Sequence, residues 1–285
     1  MKKTLLILAA MLCCITLNAQ QLTGDGSQAN PYQIATADDL VWFANHVNSG
    51  NTTACAILTA DITMNNNVLD TDGKPNDGPF TAWTPIGKPG TDFEGEFNGN
   101  GHTISGLYFY NTEENDVGVF GKAINNAYIH NLGVRDSYFY GGSWVGGICG
   151  DFASGRIENC WSSATVRAYG NDAGGICGSC WKYASVANCY NIGDVSLYQE
   201  KTLDGVIKIK FGGICGTVTY NENATSIDNC YTLKYRAIPL SGEDPYAGLP
   251  NVNPDCDKIY GVLDGDAEVH DSYVKDAAAF VGGEV

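Results

Sequence analysis

The sequence is short of positive charge, of histidine and of helical periodicity. Its 285 residues carry 16 Lys and Arg against 32 Asp and Glu, and only four His. A chain with that balance repels nucleic acid and anionic lipid, so neither is expected as a partner. The acids are scattered rather than gathered in a long run, so charge alone points to nothing more specific. His46, His102, His130 and His270 include no pair four residues apart, which excludes an H-E-x-x-H zinc site. Past residue 19 no stretch is apolar enough to span a bilayer, so no membrane span is expected.

The one sizeable apolar run lies at the start. Lys2 and Lys3 precede Leu5 to Leu17, and Ala19 closes the stretch before Gln20. That order reads as a secretory signal peptide over 1–19, too short for a span. The chain is therefore expected to be exported, to the periplasm, the outer-membrane surface or the medium. Cys13 and Cys14 follow Leu12 and Cys13 rather than a small residue, which argues against lipidation. Removing the leader leaves 266 residues with 14 basic and 32 acidic side chains, a net charge of −18.

Glycine, in contrast, is abundant at 35 residues, and it recurs in a motif. GGICG is written at Gly146–Gly150, Gly174–Gly178 and Gly212–Gly216, with a weaker GVFG at Gly118–Gly121. The closing glycines Gly121, Gly150 and Gly178 are 29 and 28 residues apart, and Gly216 follows after 38. A second motif runs in step, with Asn131, Asn159, Asn188 and Asn229 spaced by 28, 29 and 41. A third, looser strand lies between: Tyr138 to Tyr140, Val166 to Tyr169 and Val195 to Tyr198. Three short strands per period predict one coil of a parallel β-helix, an all-β solenoid whose coils share one core when stacked about 4.8 Å apart. A β-propeller blade needs about 40 to 50 residues, more than this period supplies. Equal positions then form columns. The asparagines form a ladder, and the glycines allow a tight turn, left-handed if required.

The columns place Cys149, Cys177 and Cys215 together, and Cys160, Cys189 and Cys230 together. Cysteine as a small hydrophobe in a narrow interior is the leading reading. Disulfides stay open for an exported chain. Nine cysteines remain once the leader is removed, an odd number, so not all can pair. Cys177 and Cys180 make a lone C-x-x-C without the second pair a zinc site needs. No metal and no cofactor is expected.

Residues 36–49 form the one good helix. Thr36 is the cap, with Asp39 three residues on, and Leu40, Phe43, Ala44 and Val47 make the apolar stripe. Such a helix suits the open end of a solenoid, where unpaired strand edges invite association. Ile57, Leu58, Ile62 and Met64 read as the first strands. The expected layout is a cap over 20–64, repeats over 65–235 and an irregular segment over 236–285. In that last segment Val269 to Val274 echoes the repeat.

The run GDGSQANPYQIATADDLVWFANHVN, then ILTADITM, WTPIG, FEGEFNGNGHTISGLYFYN, VGVFG and IHNLGV, resembles the N-terminal part of bacterial surface proteins carrying GLUG repeats. The same architecture precedes the catalytic domain of some IgA-specific metallopeptidases. The GGICG and NCY/NCW units look like GLUG repeats with cysteine where valine is commoner. The resemblance covers roughly residues 24–235. It implies a right-handed β-helix in an exported protein, often of Bacteroides-like bacteria, and it implies no reaction. The ending KDAAAFVGGEV resembles the start of a segment that follows such repeats, which leaves open a fragment or a naturally short chain.

Chemistry-bearing candidates are few. Asp70, Asp72 and Asp77 sit in Gly-rich turns that offer hard oxygens to calcium, but Thr81 stands where an EF-hand loop needs Glu. Asp136, Asp151, Glu158, Asp172, Asp194 and Asp228 fall at differing offsets in the repeat, so no column of catalytic acids is expected. Asn51 and Asn223 match glycosylation acceptors, by accident in a bacterial chain. Aromatics are more suggestive. Trp161, Tyr190 and Tyr231 share one column, and Tyr140, Tyr169 and Tyr198 are assigned to another. They serve either as platforms for a glycan or protein ligand or as stacks that tie coils together. The insertion over 199–210, with Lys208 and Lys210, is a further binding candidate. The expectation is a monomeric, non-catalytic, adhesin-like interaction module. A polysaccharide lyase or hydrolase, or a spacer for another domain, are the alternatives.

Overall fold

The computed structural model describes residues 22–197, 211–219, 225–233, 235–236, 255–256, 260–264, 268–270 and 273–275. The leader 1–19, the insertion 199–210, Tyr198 and Asn223 lie outside them. Among the described residues there is one helix, Ala37–Asn48, and the rest of the regular structure is short strands. No helix among them is long and apolar enough to cross a membrane.

The helix begins where its sequence says it should. Thr36 is extended, its hydroxyl accepts from the Asp39 N–H at 3.1 Å, and the Asp39 carboxylate accepts from the Thr36 N–H at 2.9 Å. This reciprocal box satisfies two of the donors a helix start leaves orphaned. Leu40, Phe43, Ala44 and Val47 are buried, and the Phe43 ring meets Phe93 and Phe97 at 6.4 and 5.9 Å. At the other end the Asn48 amide donates to the Pro85 carbonyl at 3.0 Å and accepts from the Gly87 N–H at 2.9 Å. The helix thereby anchors the segment around Pro85 that walls the candidate site.

Most strands gather into parallel sheets that take strands from successive repeats, while Tyr235–Arg236 and Asp255–Cys256 form a separate antiparallel pair. The longest has eight, running from Tyr32–Ile34 and Ala56–Leu58 through Glu96–Asn98, Ala127–His130, Gly155–Glu158, Ser185–Ala187 and Ser226–Asp228 to Glu268–His270. A seven-stranded sheet includes Gly133–Arg135, Trp161–Ser162, Tyr190–Asn191, Tyr231–Leu233 and Tyr273–Lys275. A four-stranded sheet holds Tyr108–Asn111, Tyr138–Gly141, Thr165–Ala168 and Val195–Leu197. Five- and three-stranded sheets carry the glycine motif, including Phe120–Ala123, Cys149–Ala153, Cys177–Trp181 and Cys215–Thr219 in the first and Val145–Gly146 and Ala173–Gly174 in the second. Five strands per repeat thus replace the three expected, because the glycine motif and the asparagine motif each divide into two strands, as Val145–Gly146 with Cys149–Ala153 and Gly155–Glu158 with Trp161–Ser162 show. Tyr32–Ile34, ahead of the helix, is also a strand.

Register is strict through the middle of the chain. Ile129, Ile157, Val186 and Ile227 stand in one line, each wholly buried. Burying such a side chain contributes about 1.5–3 kcal/mol, more than the hydrogen bonds beside it, so this line sets the stacking. The asparagine ladder follows it. Asn159 donates to the Asn131 side-chain oxygen at 3.1 Å, and Asn229 to that of Asn188 at 2.7 Å. Val269 and Tyr273 continue the lines of Ile227 and Tyr231.

The left-handed positions differ from expectation. They fall on Asn131, Asn159, Asn188 and Asn229, with φ of 54°, 54°, 53° and 48°, and not on the GGICG glycines. Those glycines are required for close approach instead. A Cβ on Gly146 would lie 2.0 Å from the Cys149 carbonyl oxygen, and one on Gly174 would lie 1.9 Å from that of Cys177.

Candidate functional site

Trp161, Tyr190 and Tyr231 share a column as expected, and their geometry limits what they offer. Trp161 and Tyr190 stack at 5.8 Å and 5°, and Tyr190 and Tyr231 at 5.0 Å and 7°. Each ring is half-buried. The faces between them are taken up by one another, and the far side of Trp161 lies over the Gly133 backbone. The exposed surface of this stack is a row of ring edges.

The second proposed column does not form. Tyr140 pairs with Arg167 on one side and Tyr110 on the other, so Tyr169 falls two residues past Tyr140's partner. Tyr138 opposes Thr165, an offset of 27 residues, where the alignment of tyrosines assumed 29. Tyr140 is buried, while Tyr169 is 38% exposed. Tyr198 lies outside the described residues. The ring that faces solvent in this sheet is Tyr110, 59% exposed and edge-on to Tyr140 at 5.1 Å and 86°.

Tyr110 is exposed because its strand is the edge of the four-stranded sheet. The neighbouring segment covers only the start of that edge, where the Trp83 N–H donates to the Tyr108 carbonyl at 2.7 Å. The Trp83 indole is locked down by a 3.0 Å bond to the Gly118 carbonyl. Between segment and strand lies a cleft of about 320 Å³ lined by Trp83, Pro85, Lys88, Tyr110, Asn111 and Glu114. A second hollow of about 300 Å³ also has Pro85, Lys88 and Glu114 in its lining and adds Glu113 and Asp116.

Asp116 is the least expected member of this site. It is 8% exposed, has a left-handed φ of 58°, and its Oδ1 finds no hydrogen-bond partner. Burial, with the nearby Asp151 charge, pushes its pKa up to about 7, against the pull of Lys122. Asp151 is held by Lys122 at 3.0 Å and by the Trp181 indole N–H at 2.8 Å. Burial raises Asp92 in the same cluster. Burial works to lower the Lys122 pKa, but its bond to Asp151 and the charges of Asp151, Asp116 and Asp92 outweigh that and raise it. Asp92, Asp116 and Asp151 thus lie close enough to influence one another, although they form no column, since Asp151 stands in register with Lys122 and Ser179. The readable signal was position: Asp116 and Asp172 both precede the glycine motif after Asn, and Lys122 and Asp151 both follow its last glycine.

Four of the other acids are spent structurally. Glu158 accepts from Arg156 at 2.8 Å and from the Tyr128 hydroxyl at 2.9 Å. Asp136 accepts from the Leu69 N–H at 2.8 Å, Asp228 from the Ser226 hydroxyl at 2.7 Å, and Asp172 from the Thr217 hydroxyl. Beside Arg156 a shallow hollow of about 450 Å³ is lined by Tyr128, Arg156 and the 58%-exposed Tyr183.

Of the calcium candidates, Asp70 uses its Oδ1 to accept from the Asp72 and Lys74 N–H groups, both at 2.8 Å, which is a turn-forming role. Asp72 and Asp77 are exposed. Among the described residues no group of three or more His, Cys, Asp or Glu side chains is placed to hold a metal ion. The eight described cysteines form no disulfide and all are buried. Cys149, Cys177 and Cys215 stand in register, and Cys180 Sγ lies 3.4 Å from Cys215 Sγ. Burial pushes the Cys177 thiol up to about 11 and raises Cys215 and Cys189 as well. Neutral, enclosed thiols of this kind act as apolar filling rather than as nucleophiles.

No family model matches the chain, so the resemblance to GLUG-repeat proteins rests on the motifs quoted above. A protein of Evansella cellulosilytica assigned as a Gly-rich membrane protein is 34% identical over 115 residues, which is 40% of this chain and 12% of that protein. A halomucin of Haloquadratum walsbyi is 30% identical over 160 residues, 55% of this chain and 2% of that one. The matched stretches therefore span a small part of either relative. Among solved structures, a Bacteroides ovatus chain assigned as an immunoglobulin A1 protease superposes with a TM-score of 0.45 and 18% identity, over 90% of this chain and 87% of that one.

Proposed function

We propose that this chain is an exported, right-handed parallel β-helix that serves as a surface interaction module and binds a glycan in the cleft beside Tyr110. Strands one repeat apart pair in parallel and in register within each main sheet, which supports the stacked-coil reading. The leader-like opening suits export, and one relative is named as a membrane protein, which suits a place at the cell envelope.

The observation that carries the binding reading is the Tyr110 ring. It is the exposed aromatic of its edge strand, at 59%, with Lys88, Asn111 and Glu114 around it. A sugar ring offers C–H groups on one face and hydroxyls at its rim, so an open aromatic face fringed with donors and acceptors is its natural complement. The stacked Trp161, Tyr190 and Tyr231 lack such open faces between them and serve to hold successive repeats together.

A glycan array on residues 20–285 tests this. Tyr110→Ala should weaken binding by roughly tenfold, the loss expected when one stacking contact of about 1–1.5 kcal/mol is removed. Trp161→Ala should bind as the parent does. Loss in Trp161→Ala and Tyr190→Ala, with Tyr110→Ala unaffected, would return the contact face to the aromatic stack. A second reading, polysaccharide cleavage, is favoured by Asp116, a proton donor near neutral pH beside the Lys122–Asp151 pair. Release of reducing ends from a glycan panel, abolished in Asp116→Asn, would establish it.

A further inference from the structure

We propose that the side chains of Lys122 and Asp151 become joined, once the chain has folded, by an amide bond that ties two successive repeats together. This goes beyond the binding reading and depends on no ligand. The two residues stand directly opposite one another in Phe120–Ala123 and Cys149–Ala153, and Lys122 Nζ lies 3.0 Å from Asp151 Oδ2. Among the described residues the other ion pairs set histidine or arginine against an acid, and this one holds a primary amine. It is also enclosed, with the Asp151 side chain 10% and the Lys122 side chain 24% exposed. Groups held together in this way react as if at an effective concentration of up to about 10⁵–10⁸ M, which favours a condensation that separated ions in water do not complete.

The surroundings supply what the step needs. The Trp181 indole N–H donates to the other carboxylate oxygen, Asp151 Oδ1, at 2.8 Å. A donor there sits where negative charge gathers when an amine adds to Cγ. Asp116 is packed beside both partners. A Cβ added to Gly121 or Gly150, the residues just before Lys122 and Asp151, would lie 2.7 Å from the Asp116 carbonyl oxygen or 2.6 Å from its carbonyl carbon. Burial, with the Asp151 charge, holds the Asp116 carboxyl at about 7, so it gives and takes a proton near neutral pH. The reaction balances without a co-reactant. One ammonium proton passes along the 3.0 Å contact to Asp151 Oδ2, which frees the Nζ lone pair. Nζ then bonds to Cγ. Asp116 takes a second proton from Nζ and gives its own to Oδ2, and the Cγ–Oδ2 bond breaks with its electrons on the departing water. Asp116 ends protonated as it began, Nζ keeps one hydrogen, and nothing is oxidised or reduced. Burial works against the Lys122 charge, but Asp151, Asp116 and Asp92 outweigh it and keep the ammonium protonated, which makes the step slow. It has to occur only once in each chain.

The test is the mass of folded residues 20–285, measured after denaturation. The parent should be lighter than its sequence by one water, and a digest should yield the Lys122 and Asp151 peptides as one branched species. Lys122→Arg and Asp151→Ala should each show the full sequence mass. Asp151→Asn should form the same bond with loss of ammonia and so end at the parent's mass. On refolding from denaturant-solubilised inclusion bodies, Asp116→Asn should form the bond at least about a hundredfold more slowly than the parent, the order expected when a proton-transfer group is lost. This variant is expected to fold, because Asn tolerates the left-handed backbone at 116, and the parent's own mass decides the bond without it. A folded parent that keeps its full sequence mass overturns the proposal. So does a loss of water that persists in Lys122→Arg, which would belong to a cyclised Asp-Gly pair such as Asp72-Gly73, and so does a branch from Lys122 to Asp92 or Asp116. Equal rates in the parent and Asp116→Asn would overturn the part given to Asp116.

Discussion

Trp161 lies flat over Gly133. The two residues pair in register, and a Cβ added to Gly133 would fall 2.5 Å from the indole ring. One end of the aromatic stack is thus seated on bare backbone, and Tyr190 and Tyr231 follow it in parallel planes.

Gly133→Ala should therefore tilt the indole and loosen the stack. The expected loss is about 1 kcal/mol, the order of one aromatic pair beyond its area burial. Urea denaturation checks it, and altered tryptophan emission should accompany the loss. Unchanged stability and emission would mean that the indole does not depend on this seat.

Asp116 should make stability depend on pH in the direction opposite to most carboxylates. Its folded pKa of about 7 lies above the ordinary 3.8, so the folded chain binds the proton more tightly than the unfolded one. Stability is then favoured at low pH and falls as pH rises from about 4 towards 7. Asp116→Asn should flatten that fall. Above pH 7 it should gain on the parent by up to about 4 kcal/mol, since the folded value lies about 3 above 3.8 and each tenfold change in proton affinity is worth about 1.4 kcal/mol. Melting curves at pH 5 and pH 8 measure the difference, and a parent and variant that track each other would place the carboxyl in water instead.

The buried thiols should be inert while the chain is folded. Cys149, Cys177, Cys180 and Cys215 have no exposed surface, and burial holds Cys177 at about 11. Alkylation followed by peptide mapping should leave all eight described cysteines unmodified at pH 8 and label them in denaturant. Rapid native labelling of Cys177 or Cys180 would instead reveal an opened, reactive C-x-x-C.

Much of this was legible because a fixed period constrains stacking. The line of Ile129, Ile157 and Val186, the asparagine ladder and the Trp161 column all follow from the 28- and 29-residue spacing. The helix was legible from Thr36, Asp39 and a four-residue stripe. Tyr140 and Tyr169 were misplaced because turns between strands vary by a residue or two. A two-residue slip keeps the same face and so leaves no hydrophobic conflict to reveal it. Tyr32–Ile34 was missed because a three-residue strand carries too little alternation to read. The Asp92, Asp116 and Lys122 cluster was hidden because Asp92 comes from a segment ahead of the first glycine motif, and packing against that segment brings it to the others.

The asparagine ladder separates two contributions that its geometry combines. Asn159 holds a φ of 54° and donates to Asn131 at 3.1 Å. Glycine at 159 keeps the backbone and loses the bond, which should cost about 0.5–1 kcal/mol for an exposed amide. Alanine loses the bond and also strains the left-handed turn, which adds about 1–2 kcal/mol. Asn159→Ala should therefore be the less stable of the two in urea, and Asn159→Asp should fall between them, since it tolerates the turn but cannot donate. At Asn188, where φ is 53°, the side chain accepts from Asn229 at 2.7 Å, so glycine should again cost less than alanine while aspartate keeps the bond and costs least. Equal losses for glycine and alanine would mean that the turn tolerates any side chain, and that asparagine stands there for its amide alone.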